Sequence, residues 1–439
     1  MSKLLTEAFN VKQTKTKIRD VSDYEVFADK TLLEELRIKI IENIIDRNVP
    51  ADKDFSKFVN EIIESSLEGY DLNTLERSHI FNLIDDEING YGPLSELFRD
   101  KNITEIMVNG PKDIYIEIEG KVVKDESISF INDNHIIRTI QRLIQPLGRT
   151  IDANNPMVDS RLENGARINA ILPPLSVTGP IITIRKFKEN MSSIDDLIRQ
   201  GTLTSEMATF LECAVRGKIN IVICGGTGSG KTTLLNVLSS FVPEGERMIT
   251  IEDAAELKLD HQHLIRLETK TTNYDEENDV SIRDLVKNSL RMRPDRIVVG
   301  EVRGKEAFDM LQAMNTGHEG SMTTMHANSP VDALNRLETM VLMAGMEIPV
   351  AAVRDYIANA IEVVVDIERL SDGKRKITSI CEIIGIANGI IQLSEMYSFY
   401  QHGLTTNGEV DGEFMKNPSV PKVANKMLAK GINEIRNIY

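Results

Sequence analysis

The sequence predicts an α/β protein: a C-terminal domain built on a parallel sheet, preceded by a mixed α+β domain and, before that, an N-terminal helical bundle. Three observations carry this reading. From about residue 191, short apolar strings alternate with helical stretches, the pattern of parallel strands joined by crossover helices. A glycine-rich loop over 225–232 stands between one of those strings and a helix. Residues 32–89 place apolar side chains at helical spacing.

The elements follow in order. Residues 1–30 are polar, carry Lys12, Lys15, Lys17 and Arg19 without a helical apolar face, and are expected to form a mobile tail. In the bundle, 31–95, Leu32, Leu33, Leu36, Ile40, Ile41, Ile44 and Ile45 recur at helical spacing and Pro50 closes the helix. Further helices are predicted over 55–67 and 75–89, ending in the glycine- and proline-rich turn 89–93. In the α+β domain, 96–190, Ile114, Ile116 and Ile118 alternate with polar residues and Glu119-Gly120 offers a hairpin turn. A helix over 134–144 and short strands over 167–171 and 181–187 complete it, with the boundary near 188–193. The α/β domain, 191–400, reads as helix 207–216, strand 219–224, the glycine loop, helix 232–240, and strands at 248–251 and 296–299. Residues 269–279 read as an exposed acidic loop and 401–439 as a C-terminal extension.

At 439 residues the chain exceeds one compact core. Its 41% hydrophobic and 27% charged residues are ordinary for soluble globular protein. A formal charge of −16 argues against broad nucleic-acid binding, which rests on a surplus of Lys and Arg. Cys213, Cys224 and Cys381 lie far apart without a CxxC pair and read as reduced core fillers. No segment has the pattern of a secretory signal, and no apolar run has the length of a membrane span. A role at a membrane would therefore need a partner to hold the chain there.

The chemistry is concentrated in four boxes. Gly225-Gly226-Thr227-Gly228-Ser229-Gly230-Lys231-Thr232 fits GxxxxGK[ST] between a strand and a helix. Glycines let successive backbone N–H groups point at phosphate oxygens, and the helix N-terminus favours an anion. Lys231 would neutralise the β and γ phosphates, Thr232 would ligate Mg²⁺, and Thr233 joins the binding set. A dinucleotide fold fits poorly, because Lys-Thr opens the helix and no GxGxxG continues. The loop therefore reads as a nucleoside triphosphate site. The second box, 249–256, delivers Glu252 and Asp253 to a strand end; the third, 296–301, ends in Glu301, placed to polarise water or hold a metal's hydration shell. The fourth, 316–328, carries His318 and His326 among hydroxyls suited to sensing a γ-phosphate. Taken singly, each has a structural alternative: a solvated strand end, a surface carboxylate, a hydrogen-bonded core histidine. His261-Gln262-His263 lacks a third ligand and is given no metal role.

Together these boxes resemble the type II/type IV secretion ATPase superfamily, and within it the tight-adherence (CpaF/TadA) branch. The likeness rests on the phosphate loop, Ile251-Glu252-Asp253-Ala254-Ala255-Glu256, the string from Leu290-Arg291-Met292-Arg293-Pro294 to Glu301-Val302-Arg303-Gly304, and His318-Glu319-Gly320 to His326-Ala327-Asn328. Upstream, Glu105-Ile106-Met107-Val108-Asn109-Gly110, Gly148-Arg149-Thr150-Ile151-Asp152, Arg161-Leu162-Glu163-Asn164-Gly165-Ala166-Arg167 and Ile184-Arg185-Lys186-Phe187 are similar to it. The resemblance covers about 32 to about 400.

It implies a homohexameric ring whose subunits join an N-terminal domain to a RecA-like P-loop ATPase domain, with ATP and Mg²⁺ held between them. Under it, Lys231 and Thr232 bind phosphate and metal, Glu301 is the Walker B carboxylate that activates water, and Glu252 and Asp253 assist. His326 responds to the γ-phosphate, and His318 belongs to the same box. Arg149, Arg161, Arg167 and Arg185 are candidates for reaching phosphates from the N-terminal domain. Gly300 stands where many phosphate-loop enzymes carry a metal-linked Asp, as in secretion ATPases. The implied function is ATP-driven pilus assembly, with retraction as a further use, through inner-membrane platform proteins. The location is cytoplasmic and peripheral to the membrane, with no direct nucleic-acid binding.

A type IV secretion or conjugation ATPase shares every box, and an archaeal filament motor is a near neighbour; 32–90 and 161–174 favour the pilus branch. A small-molecule kinase would need an acceptor pocket rather than the arginine string, and a non-hydrolysing scaffold would not need Glu301. DNA translocation fits poorly with the acidic charge.

Overall fold

A computed structural model describes residues 30–46, 55–118, 120–186, 193–270, 279–345 and 347–439. The expected tail through residue 29, Pro50, Glu119, the boundary at 188–192 and most of the acidic loop lie outside the described residues. The chain divides into two compact units, one of Met1–Leu162 with Arg167–Lys186, the other of Glu163–Ala166 with Phe187–Tyr439.

In the first unit, helices α1 (Lys30–Asp46), α2 (Phe55–Leu67) and α3 (Thr74–Asn89) bury one stripe each. Leu36 and Ile40 meet Val59, Ile63, Ile80 and Ile84, all nearly inaccessible to solvent. Each such side chain contributes about 1.5–3 kcal/mol by burial. The start of α3 is fixed by a capping box: Asn73 Oδ1 accepts from the Leu75 and Glu76 N–H groups, and the Glu76 carboxylate accepts from the Asn73 N–H. After α4 (Ser95–Arg99) come β1 (Ile103–Val108), β2 (Ile114–Ile118), β3 (Lys121–Asp125), α5 (Asp133–Ile144), β4 (Met157–Arg161), β5 (Arg167–Ile171) and β6 (Ile181–Arg185). The strands form one antiparallel sheet in the order β3-β2-β1-β6-β5-β4.

The break expected at residue 95 is bridged by a buried ion cluster. Glu87 on α3 accepts from Arg37 Nε of α1 at 3.0 Å and lies 2.9 Å from His135 Nε2 of α5. Burial alone would raise the Glu87 carboxyl, but His135 and Arg37 outweigh it and hold the group below the usual range.

The second unit contains α6 (Ile194–Arg199), α7 (Ser205–Arg216), β7 (Ile221–Gly225), α8 (Lys231–Ser239), β8 (Met248–Glu252), β9 (Leu264–Glu268), α9 (Ile282–Ser289), β10 (Arg296–Val299), α10 (Glu306–Asn315), β11 (Met322–His326), α11 (Pro330–Met343), α12 (Val350–Ala360) and β12 (Val363–Arg369). Three long strands, β13 (Arg375–Ala387), β14 (Ile390–Leu404) and β15 (Val410–Lys416), and α13 (Lys422–Ala429) follow. The sheet order is β15-β14-β13-β12-β7-β11-β10-β8-β9. From β12 to β9 all neighbours are parallel, and β13 to β15 add antiparallel. On β7, Ile221 and Ile223 enter one core and Val222 and Cys224 the other, so both faces are covered, as a parallel sheet requires. The α/β class with its N-terminal helices and α+β portion is thus the one the sequence predicts. Apart from the first helix, whose expected end at Pro50 lies outside the described residues, the predicted helices and strands named above begin and end within two residues of the observed ones.

The boundary expected at residue 400 falls inside β14, and Val423, Met427, Ile432 and Ile435 beyond it pack into the same core as Ile221 and Ile223. Long antiparallel strands with one wet face carry few apolar residues in succession, so the sequence reads as an appendage where the chain continues the sheet.

Candidate functional site

Parallel strands end on a common edge, the usual ligand edge of open α/β sheets. Four of them meet here in register. His326 lies beside Gly225, and Val299 lies beside Ile251 on one side and Thr323 on the other. Gly225, Glu252, Glu301 and His326 therefore share the edge from which the phosphate loop springs.

The loop leaves β7 and enters α8 through Gly228 (φ 71°) and Gly230 (φ 102°), left-handed conformations that favour glycine. Thr227 is exposed, Ser229 is buried, Thr232 is half-buried and Thr233 exposed in the first turn of α8. The Lys231 side chain lies back along the loop and is only 7% exposed. Its ammonium donates to the carbonyls of Gly225 at 3.0 Å and Gly226 at 2.7 Å, and lies 3.4 Å from His326 Nδ1.

From Lys231 a chain of charged and polar groups crosses the edge. His326 Nε2 is 3.0 Å from Glu301 Oε1, although that oxygen has no donor aligned on it. Glu301 Oε2 accepts from Arg303 Nη2 at 2.6 Å, and Arg303 Nη1 stands 3.6 Å from Asp253 Oδ2. Burial, and then the Lys231 charge, push the His326 pKa down, so its imidazole is neutral near pH 7. With the ammonium facing Nδ1, that nitrogen is the acceptor and the ring proton belongs on Nε2, which is near Glu301 Oε1 but not aligned on it. The result is a carboxylate with one oxygen held by a guanidinium and the other facing a neutral imidazole.

Glu252 lies apart from this chain. Its Oε1 accepts from the Glu256 and Leu257 N–H groups, both at 2.9 Å, and fastens the turn after β8. Its Oε2 is buried and has no hydrogen-bond partner among the described residues. A side chain at Gly300 would come within 3.0 Å of Glu252 Cγ, which gives a steric reason for glycine there. Burial pushes the Glu252 carboxyl up to about 7. A carboxyl raised on folding contributes stability that is present below the unfolded value of 4.5 and lost as pH rises through about 7. Glu252→Gln should therefore raise the unfolding midpoint by several degrees at about pH 8.5 and scarcely at about pH 4.5, read by thermal melts at both.

A family profile described as Type II/IV secretion system protein matches residues 87–408. The chain belongs to that family. A putative conjugal transfer protein of Mycobacterium tuberculosis is 34% identical over 312 residues, 70% of this chain and 88% of the relative. The probable conjugal transfer protein TrbB of Sinorhizobium fredii is 34% identical over 296 residues, 66% of this chain and 86% of that one. Among solved structures, the VirB11 ATPase of the Brucella suis type IV secretion system is similar at 29% identity. That likeness covers 66% of this chain and 95% of that one, with a TM-score of 0.36.

Within this secretion-system family member, the remaining predicted residues separate. His318 lies ahead of β11 while His326 ends it, so the strand, about 13 Å long at 3.3 Å per residue, stands between them. Its Nδ1 lies 3.3 Å from the Ala313 carbonyl at the end of α10. His318 is therefore not part of the charged chain that runs from Lys231 to Asp253. Arg149, Arg161, Arg167 and Arg185 belong to the first unit. Arg161 pairs across strands with Arg167, and Arg167 with Arg185, so three guanidinium-bearing residues share one face of β4-β5-β6. Arg149 lies outside it, after the left-handed Gly148. In the sequence Arg303 stands out only as part of a motif string. Its signal was its place two residues beyond Glu301, on a segment that leaves the strand and brings the guanidinium back to the carboxylate.

Proposed function

We propose that the chain is an ATP-hydrolysing motor of the tight-adherence branch. It acts as a homohexamer at the inner face of the cytoplasmic membrane and drives pilus assembly through inner-membrane platform proteins. The observation that supports this most is the chain of groups from Lys231 through His326 and Glu301 to Arg303 and Asp253. When a triphosphate enters the loop, Lys231 exchanges two neutral carbonyls for phosphate oxygens, a stronger, charge-assisted partnership. That exchange removes Lys231 from His326 and lets the imidazole respond to the γ-phosphate. Glu301 accepts the proton of the attacking water as the oxygen–phosphorus bond forms and the bond to ADP breaks. Arg303 holds the carboxylate in place.

Among the described residues, no group of three or more His, Cys, Asp or Glu side chains is arranged to hold a metal ion. That fits Mg²⁺ arriving with the nucleotide, where it is held largely by phosphates and water. The half-buried Thr232 hydroxyl and, through water, Glu301 would hold it, and it would offset charge on the phosphates. The arginine row and Arg149 would add positive charge from the N-terminal unit, and closure of the two units on ATP would supply the motion. No helix among the described residues is long and apolar enough to cross a membrane; in this reading the platform proteins hold the motor there.

The conjugal transfer relatives favour a second reading, an ATPase of a type IV secretion or conjugation system. Deleting the gene in the source strain and complementing with parent or Glu301→Gln separates the two. Loss of surface filaments, restored by the parent alone, supports the pilus reading. Loss of DNA or protein transfer with filaments intact supports the second.

A further inference from the structure

The outer side of the phosphate loop is walled by the end of β12 and the start of β13. A Cβ at Gly225 would lie 2.1 Å from the Ile367 carbonyl oxygen, and one at Gly230 would lie 3.1 Å from Arg375 Cδ. Between those points Arg375 Nε donates to the Gly228 carbonyl at 3.1 Å. The first residue of β13, from the antiparallel part of the sheet, thus lays its stem on one end of the loop and its charge on the middle.

The peptide that Arg375 grips joins Gly228 to Ser229. Its N–H makes a long backbone contact, from Ser229 N to the Gly226 carbonyl at 3.5 Å. A cation on the carbonyl polarises the amide and makes the N–H a stronger donor, because linked hydrogen bonds reinforce one another. Loop N–H groups of this kind are the ones that meet phosphate oxygens. The guanidinium also brings a second positive charge to a loop that already holds Lys231. The geometry points to Arg375 as a positioning residue of the nucleotide site, which sets the donor strength and shape of the phosphate loop through the Gly228–Ser229 peptide. The inference rests on the reading of this loop as an ATP site.

The test is equilibrium binding of ADP and of a non-hydrolysable ATP analogue, each with Mg²⁺, to the full chain. Arg375→Met keeps the stem that covers Gly230 and removes the charge and the donor. It should weaken both nucleotides about 10-fold, the lower end of what a charged hydrogen bond contributes. Arg375→Lys, which restores charge without the planar donor, should recover part of that loss. The nucleotide-free melting temperature should match the parent's in both variants, since Arg375 is exposed. Arg375→Gln decides in the same way should the Met variant fail to fold. Parent-like affinity in a folded Met or Gln variant overturns the inference while the ATP reading stands. If the parent itself binds no more nucleotide than Lys231→Ala, the ATP reading falls and takes the inference with it.

Discussion

Glu301→Gln is expected to lower the steady-state rate of ATP hydrolysis by about 10²–10⁴-fold, the range a positioned general base contributes, while nucleotide binding survives. Gln keeps the size of the side chain and an oxygen for Arg303, which now donates to Glu301 Oε2 at 2.6 Å. What it loses is the capacity to take a proton. The oxygen facing His326 is the one that matters, because it has no donor aligned on it. The variant should therefore accumulate bound ATP, read as unhydrolysed nucleotide retained after rapid gel filtration. Retention of ADP alone at the parental rate would place the general base elsewhere.

Lys231→Ala acts one step earlier, on binding. The ammonium is buried and is held by two loop carbonyls at 3.0 and 2.7 Å, the partners it would exchange for phosphate. Two charge-assisted hydrogen bonds at about 1.5–3 kcal/mol each correspond to a loss in ATP affinity of at least 100-fold. Hydrolysis should fall with it at any accessible ATP concentration. Fluorescent-nucleotide titration measures the first and phosphate release the second. A variant that binds as the parent does would mean that the ammonium stays on the carbonyls throughout.

Much of this was legible in the sequence, and for physical reasons. The phosphate loop was readable because its glycines and lysine act through the backbone at fixed spacing, so local sequence is enough. Three of the four parallel strand ends were readable because buried strands are continuous apolar strings, such as 296–299; the fourth, Met322–His326, carries two threonines and a histidine and does not read as a strand. Partnership between boxes was less readable. Glu252 and Glu301 are both carboxylates at strand ends, yet one fastens the turn at 256–257 while the other meets His326 and Arg303. That difference arises from where each segment turns after its strand, which neither composition nor period encodes. His318 stands outside the charged chain for a related reason, because nearness in sequence across a strand means separation in space. Arg375 was invisible altogether: 147 residues separate it from Gly228, and only the pairing of β7 with β12 and of β12 with β13 brings them together. The end of the chain reads as an extension because its core residues, Val423 to Ile435, are few and widely spaced.

The central claim is that the groups from Lys231 to Asp253 form an ATP-hydrolysing site that works in an assembly. Phosphate release from Mg-ATP, measured per subunit across a range of protein concentrations with Lys231→Ala alongside, tests it most directly. The rate per subunit should rise as the protein assembles, and the variant should show none above background. A parent that releases no phosphate at any concentration, even with lipid or a platform protein added, or a variant that matches it, would contradict the account.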